Sequence, residues 1–279
     1  MPGMTAEPTE LIIEAGRTER NYWRDLWNYR ELFYFLAWRD TLVRYKQTAI
    51  GVAWALIRPL VTMLVFTIVF GKIAKLPSDG VPYPILVFAA VLPWQFFASA
   101  FSEAGNSLVA NSGMLSKIYF PRLIIPTSAV ITSFIDFLVS AVILIGLMLW
   151  YGQWPGWQIL TLPLFTLLAF AAAMGCGIWI AALNVTYRDF AYVIPFMLQL
   201  GLYISPVGFA SSIVPGQWRL VYSLNPMVSV IDGFRWAIIG GHSELYLPGF
   251  LLSCAVIALL LVTGIAHFRR TEKTFADVI

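Results

Sequence analysis

The chain of 279 residues is poor in charge, cysteine and histidine. Asp, Glu, Lys and Arg make up 12% of it, about half the roughly 25% of soluble proteins, which excludes an ordinary water-facing surface. Its two cysteines, Cys176 and Cys254, each lie inside a long apolar run, so neither a disulfide framework nor a metal cluster is expected. The two histidines, His242 and His267, are far apart, and there is no Gly-rich phosphate loop and no Asp-rich pyrophosphate-metal motif. No nucleotide-hydrolysing site is therefore expected. The opening stretch carries Glu7, Glu10, Glu14 and Glu19 without an apolar core, so no signal peptide is expected and the first apolar run serves for insertion.

What is present is apolar. Hydrophobic residues make 59% of the chain and the mean hydropathy is +0.76, which marks an integral membrane protein. A helix of about 20 apolar residues crosses a hydrocarbon core of about 30 Å. Six runs qualify: 50–70, 84–101, 127–150, 160–183, 192–209 and 248–268. All must be helical, because backbone groups cannot go unpaired in lipid. Of the eighteen Lys and Arg residues, thirteen fall before the first run, in the second and fourth loops or in the tail. That asymmetry predicts both termini on the cytoplasmic side and a net charge of +3 that reflects topology rather than nucleic-acid binding.

The expected organisation is a flexible N-terminus at 1–21, a cytoplasmic interface helix at 22–49, a six-helix domain at 50–268 and a cytoplasmic tail at 269–279. In the interface helix Leu32, Phe33, Phe35, Leu36, Trp38, Leu42 and Val43 share a broad apolar arc, with Arg30, Thr41 and Arg44 opposite. Arg39, Asp40 and Lys46 interrupt that arc, and a helix along the leaflet surface and a plain basic anchor both fit. The fifth run contains Pro195, Gly201, Pro206 and Gly208, so kinks are expected there. Residues 215–247 form the last segment on the far side, where 227–240 is an apolar stretch too short to span. It predicts a re-entrant helix after Asn225-Pro226, with Asp232 and Arg235 spaced to pair.

Four further features admit a structural and a functional reading. Arg58, beside Pro59, sits inside the first run, where it either snorkels or faces an aqueous path or a lipid phosphate. Asp136 is near mid-depth in the third run beside Thr132, Ser133 and Ser140, a satisfied packing contact or a transport group. Ala171 with Gly175, and Ala173 with Gly177, allow close helix approach within or between chains. Residues 105–125 form an amphipathic loop between two spans that looks built to dock a partner or to lie on lipid headgroups.

Several motifs resemble one family. Leu-Ala-Trp-Arg-Asp-Thr-Leu-Val-Arg-Tyr-Lys at 36–46, continuing to Ile-Arg-Pro-Leu at 57–60, is similar to the first segment of ABC-2 type permeases for polysaccharide export. Leu-Pro-Trp-Gln-Phe-Phe at 92–97, Ser-Lys-Ile-Tyr-Phe-Pro-Arg at 116–122, Asn-Val-Thr-Tyr-Arg-Asp at 184–189 and Leu-Asn-Pro-Met at 224–227 follow in the family's order. The resemblance covers nearly the whole chain and implies the membrane subunit of an O-antigen or related exporter of the inner membrane, serving lipopolysaccharide biosynthesis. Such permeases are not enzymes. They form homodimers and pair with two copies of a separate cytoplasmic ABC ATPase, which supplies ATP and Mg; no cofactor or metal is expected in this chain. The implied cargo is a polyprenyl-diphosphate-linked glycan.

Carried onto this sequence, the resemblance makes Met114, Leu115, Lys117, Ile118, Tyr119, Phe120 and Arg122 the ATPase-coupling surface. Arg188 and Asp189 become a further contact or gate, with a local salt-bridged cap as the plainer reading. Arg44, Lys46 and Arg58 are the candidates for the substrate diphosphate. Trp54, Phe66, Trp94, Phe97 and Tyr203 are candidates for the glycan path, although most aromatics in such a chain belong to the core or to the interfacial belt, as Trp150, Trp154 and Trp157 do. The alternatives are a teichoic acid or other glycolipid exporter, an intramembrane polyprenyl-phosphate enzyme, and an ATP-independent carrier or channel.

Overall fold

The computed structural model describes residues 18–46, 53–78, 80–115, 117, 120–240 and 245–275, with side chains from Tyr22 onward. Among these residues the protein is all-helical, with no strand. The elements are α1 (Thr18–Asn28), α2 (Arg30–Lys46), α3 (Ala53–Phe66, running on as a π-helix over Thr67–Ile73), α4 (Tyr83–Ala110), α5 (Ser112–Leu115) and α6 (Ile124–Tyr151). There follow α7 (Leu162–Thr186, led by a 3₁₀ turn at Trp157–Thr161), α8 (Phe190–Ile204), α9 (Gly216–Tyr222), α10 (Pro226–Ile239) and α11 (Leu247–Thr271). α1 starts inside the segment expected to be loose. Residues 1–17 of that segment and 276–279 of the expected tail lie outside the described residues.

Among the described residues, five helices are long and apolar enough to cross a membrane: Ala53–Ile73, Tyr83–Ala110, Ile124–Tyr151, Trp157–Thr186 and Leu247–Thr274. The expected run at 192–209 is shorter, an apolar helix of 15 residues at Phe190–Ile204. At about 1.5 Å per residue it falls short of the hydrocarbon core. Proline is the reason: a residue before proline is driven out of the α region, and Ser205, ahead of Pro206, is extended at φ −80 and ψ 150. Chain punctuation is equally plain elsewhere. Pro84, Pro163, Pro226 and Pro248 sit in the first turns of α4, α7, α10 and α11, where a missing N–H costs nothing. Gly152 ends α6 in the left-handed region at φ 64, as a glycine cap does.

α4 is the axis of the bundle. Ile85, Val87, Phe88, Ala89, Ala90 and Val91 are wholly buried, and α3, α6, α7, α8 and α10 all pack on this helix. α10, the short apolar helix expected to be re-entrant, is almost entirely buried against α4, α7 and α11. The Asn225 side chain caps it by accepting from the Met227 amide at 3.0 Å. Inside it, Arg235 donates to the carbonyls of Leu86, Phe209 and Val207 at 3.2, 2.8 and 3.2 Å. Asp232 accepts from Ser211 at 2.7 Å. These bonds tie the irregular chain after α8 to the core and satisfy the Val207 and Phe209 carbonyls, which lie outside any helix.

The small residues of the fourth run are used within the chain. A Cβ on Gly175 would come 2.9 Å from the Leu261 amide nitrogen, and one on Gly264 would come 2.8 Å from the Gly175 carbonyl oxygen, so α7 and α11 touch backbone to backbone. A Cβ on Gly177 would come 2.8 Å from the Ala104 Cβ of α4. Gly175→Val is expected to cost about 1–3 kcal/mol through overpacking. Gly146→Val, with nothing within 4 Å of its Cβ, should leave the thermal midpoint of the detergent-solubilised protein unchanged; equal midpoints for both variants would refute this packing.

Candidate functional site

A cavity of about 550 Å³ opens between the end of α2 and helices α3, α4 and α6. Helical spacing builds its walls. Gln95, Ser99, Ser102 and Glu103 fall on one face of α4, Ser133, Asp136, Phe137 and Ser140 on one face of α6, and Trp54, Arg58 and Thr62 on one face of α3. The wall combines hydroxyl, amide and charged groups with aromatic and aliphatic ones. Gln95 donates to Thr62 Oγ1 at 3.1 Å, Ser133 to Ser99 Oγ at 3.4 Å, and Ser140 to the Ala55 carbonyl at 2.9 Å. Trp94 is buried and lines the same space.

A charge cluster closes one side. Arg44 meets Asp136 Oδ2 at 2.5 Å and Glu103 Oε1 at 2.8 Å, and the Tyr45 hydroxyl donates to Asp136 Oδ1. Burial works against a charged Arg44, but the Glu103 and Asp136 carboxylates outweigh it and hold the guanidinium above its usual range. Burial, with the Asp136 carboxylate beside it, pushes the Tyr45 phenol well above the ordinary tyrosine value, so it remains a donor. The cluster orients α2. Its Thr41 and Arg44 side turns toward the bundle, while Tyr34, Phe35, Trp38 and Val43 stay exposed. Asp136 is thus a satisfied contact, as one of its two readings held, though its partners come from α2 rather than from its own helix.

The sequence candidates divide accordingly. The cavity gathers Arg44, Arg58, Trp54 and Trp94. Lys46 is exposed and outside the lining; Phe66 packs edge-on to Phe70 at 5.3 Å and Phe97 stacks on Phe101 at 5.9 Å. Tyr203 points outward at 65% exposure. Arg44 is committed to two carboxylates, which alters its candidacy for a diphosphate; Arg58 stands exposed on the wall. Glu103, Tyr45, Gln95 and the four serines were missed. Glu103 fell beyond the expected end of the second run, yet α4 continues to Ala110; its spacing of four and eight residues from Ser99 and Gln95 was the available signal.

The loop between α4 and α6 also departs from expectation. Leu115 and Phe120 are buried at 5% and 4%, inside a cluster with Tyr22, Leu36, Leu108, Phe268 and Phe275. Arg122 donates to the Glu272 carbonyl at 2.5 Å. These three therefore anchor the loop to its own chain and do not face outward. Lys117 is exposed and Met114 half-buried, while Ile118 and Tyr119 lie outside the described residues. Arg188 and Asp189 are both exposed at the turn between α7 and α8, at the same end of the bundle. The amide of Asn184, at the start of that motif, donates to Gly105 O at 2.9 Å and Asn106 Oδ1 at 3.2 Å, tying the end of α7 to the last turns of α4.

With this geometry in hand, comparison with known proteins gives consistent matches. Residues 31–239 match the family model described as ABC-2 type transporter. The chain is 28% identical over 259 residues to the O-antigen export system permease protein RfbA of Myxococcus xanthus, covering 92% of this chain and 98% of that protein. It is 26% identical to a protein of the same name from Klebsiella pneumoniae, over 86% of this chain and 92% of that one. The polysialic acid transport protein KpsM of Escherichia coli is 24% identical, over 84% and 91% respectively.

The charge cluster makes a direct prediction. Arg44→Met leaves the Asp136 and Glu103 carboxylates facing each other without a cation, with an expected loss of about 1–3 kcal/mol. Adding Asp136→Met should restore part of it, because the uncompensated charge is gone. A thermal-midpoint cycle measures this; strictly additive losses would show that the two groups do not interact.

Proposed function

Since this chain belongs to the ABC-2 type transporter family, we propose that it is the membrane permease subunit of an ATP-driven exporter that carries a polysaccharide of O-antigen type across the inner membrane. The protein is multi-pass and non-catalytic, and its family works with an ABC ATPase. The relatives named as O-antigen export permeases, matched over almost their full length, support the cargo class. The relative named for polysialic acid transport supports a polymer of that type as the second reading.

The cavity between α3, α4 and α6 is the observation that carries the proposal. Its four charged groups, Arg44, Arg58, Glu103 and Asp136, sum to zero, so it suits a neutral polyol better than a diphosphate. Serine hydroxyls, the Gln95 amide and the carboxylates exchange hydrogen bonds with sugar hydroxyls, and Trp54 and Trp94 offer flat apolar faces to sugar C–H groups. A phosphate-bearing lipid anchor would meet Arg58 at the wall and not Arg44, whose charge is already engaged. Two copies of this chain and two ATPases would form the working unit, with the termini and the basic loops toward the cytoplasm. ATP binding and hydrolysis would act through Met114, Lys117 and the Arg188–Asp189 turn, shifting the bundle between two states that differ in access to the cavity.

Ser99→Trp fills the cavity while leaving the charged side chains of the cluster unmutated. In the complex reconstituted with its ATPase, polymer export should fall by about tenfold or more, while assembly and basal ATP hydrolysis persist. Undiminished export would remove the cavity from the path. The docking surface is checked separately: Lys117→Glu with Arg188→Glu should weaken ATPase co-purification by about tenfold, and unaltered co-purification would place the contact elsewhere.

A further inference from the structure

α5 is a single turn of four residues, Ser112–Leu115, far below the length at which a helix holds itself. Its local bonds include Met114 and Leu115 N–H to the Asn111 carbonyl, at 3.0 and 3.2 Å, and Lys117 N–H to the Met114 carbonyl at 3.2 Å. A segment so short cannot transmit a push unless something else makes it rigid. That support comes from the two extremes of the described chain. The Tyr22 hydroxyl on α1 donates to Glu272 Oε2 at 3.0 Å, and the Arg269 guanidinium sits 4.7 Å over the Tyr22 ring. Arg122, where the loop enters α6, donates to the Glu272 carbonyl and lies 5.8 Å over the Phe275 ring. Phe275 is wholly buried and packs edge-on to Phe268 at 5.4 Å, in the cluster that holds Leu115 and Phe120.

We propose that residues 271–275 are a positioning element for the docking loop, clamping it to α1 and to the end of α11 so that the three move as one body. α11 in turn lies backbone to backbone on α7 through Gly264 and Gly175. A displacement of the loop therefore reaches the bundle along two routes: directly through α4 and α6, which flank the loop, and through α11 into α7. The consequence for transport rests on the exporter reading above; the clamp itself does not.

The test uses the purified permease–ATPase complex in lipid nanodiscs, with hydrogen exchange and coupled transport measured on the same preparations. Phe275→Ala should raise amide exchange at 112–125 and at 22–36, two segments distant in sequence, by about tenfold. ATPase co-purification and basal hydrolysis should stay near wild type, and polymer exported per ATP should fall about fivefold. Phe275→Leu, which keeps most of the apolar volume, should restore all three readings. Tyr22→Phe, which removes the hydroxyl with its bonds to Glu272 and to the Leu123 backbone but keeps the buried ring, should shift exchange in the same direction by about two- to threefold. Unchanged exchange at 112–125 in both Phe275→Ala and Tyr22→Phe would overturn the clamp. Raised exchange with unaltered export per ATP would overturn the route through α11. If the wild-type complex hydrolyses ATP and exports no polysaccharide while the exchange changes still occur, the cargo reading fails and the clamp stands.

Discussion

The pairing of Arg44 with Asp136 and Glu103 governs how this molecule is arranged around its polar space. Charges among apolar helices must meet partners inside the protein, and here one cation on α2 serves carboxylates on α4 and α6. The pairing draws the polar side of an amphipathic helix inward and leaves its aromatic side outward. It also balances the cavity behind it, so that hydroxyls, an amide and two tryptophans dominate a space whose formal charge is zero.

Two cores organise the rest. The larger surrounds α4 and the buried α10, where Arg235 holds the irregular Val207–Phe209 backbone in place. The smaller gathers side chains from α1, α2, the ends of α4, α7 and α11, and the loop between α4 and α6. The division suits a transporter: a packed bundle that resists distortion, joined to a compact assembly at the end where the α4–α6 loop lies. Interiors of this density shift as units and do not bend locally, so a short loop can drive long helices only if it is keyed into such a unit.

Much of this was legible in the residues. The places of the long helices followed from apolar runs, and the start of α10 followed from Asn225-Pro226. The strong basic asymmetry and the motifs at 92–97, 116–122 and 184–189 pointed to the family. Other features were not. Met114, Leu115, Ile118, Tyr119 and Phe120 read as one apolar surface, because hydropathy does not say which neighbour a side chain will meet. Leu115 and Phe120 meet Phe268 and Phe275, more than 140 residues away in the chain. The early end of α8 was foreshadowed by Pro206, which read as a kink and acts as a stop because Ser205 before it is forced extended.

By itself the sequence determined that this is a helical membrane protein, which end of it is basic, where its helices begin, and to what family it is similar. Those properties are local: length, period, proline chemistry and charge counts are set along the chain. Only the tertiary structure decided that Arg44 is paired with carboxylates and Arg58 is not engaged in the cluster, that the small residues of α7 pack within the chain, and that the loop between α4 and α6 is held by α1 and by the residues after α11. Each of these depends on which distant residues share a few ångströms of space, and no periodicity within a single helix encodes its neighbour.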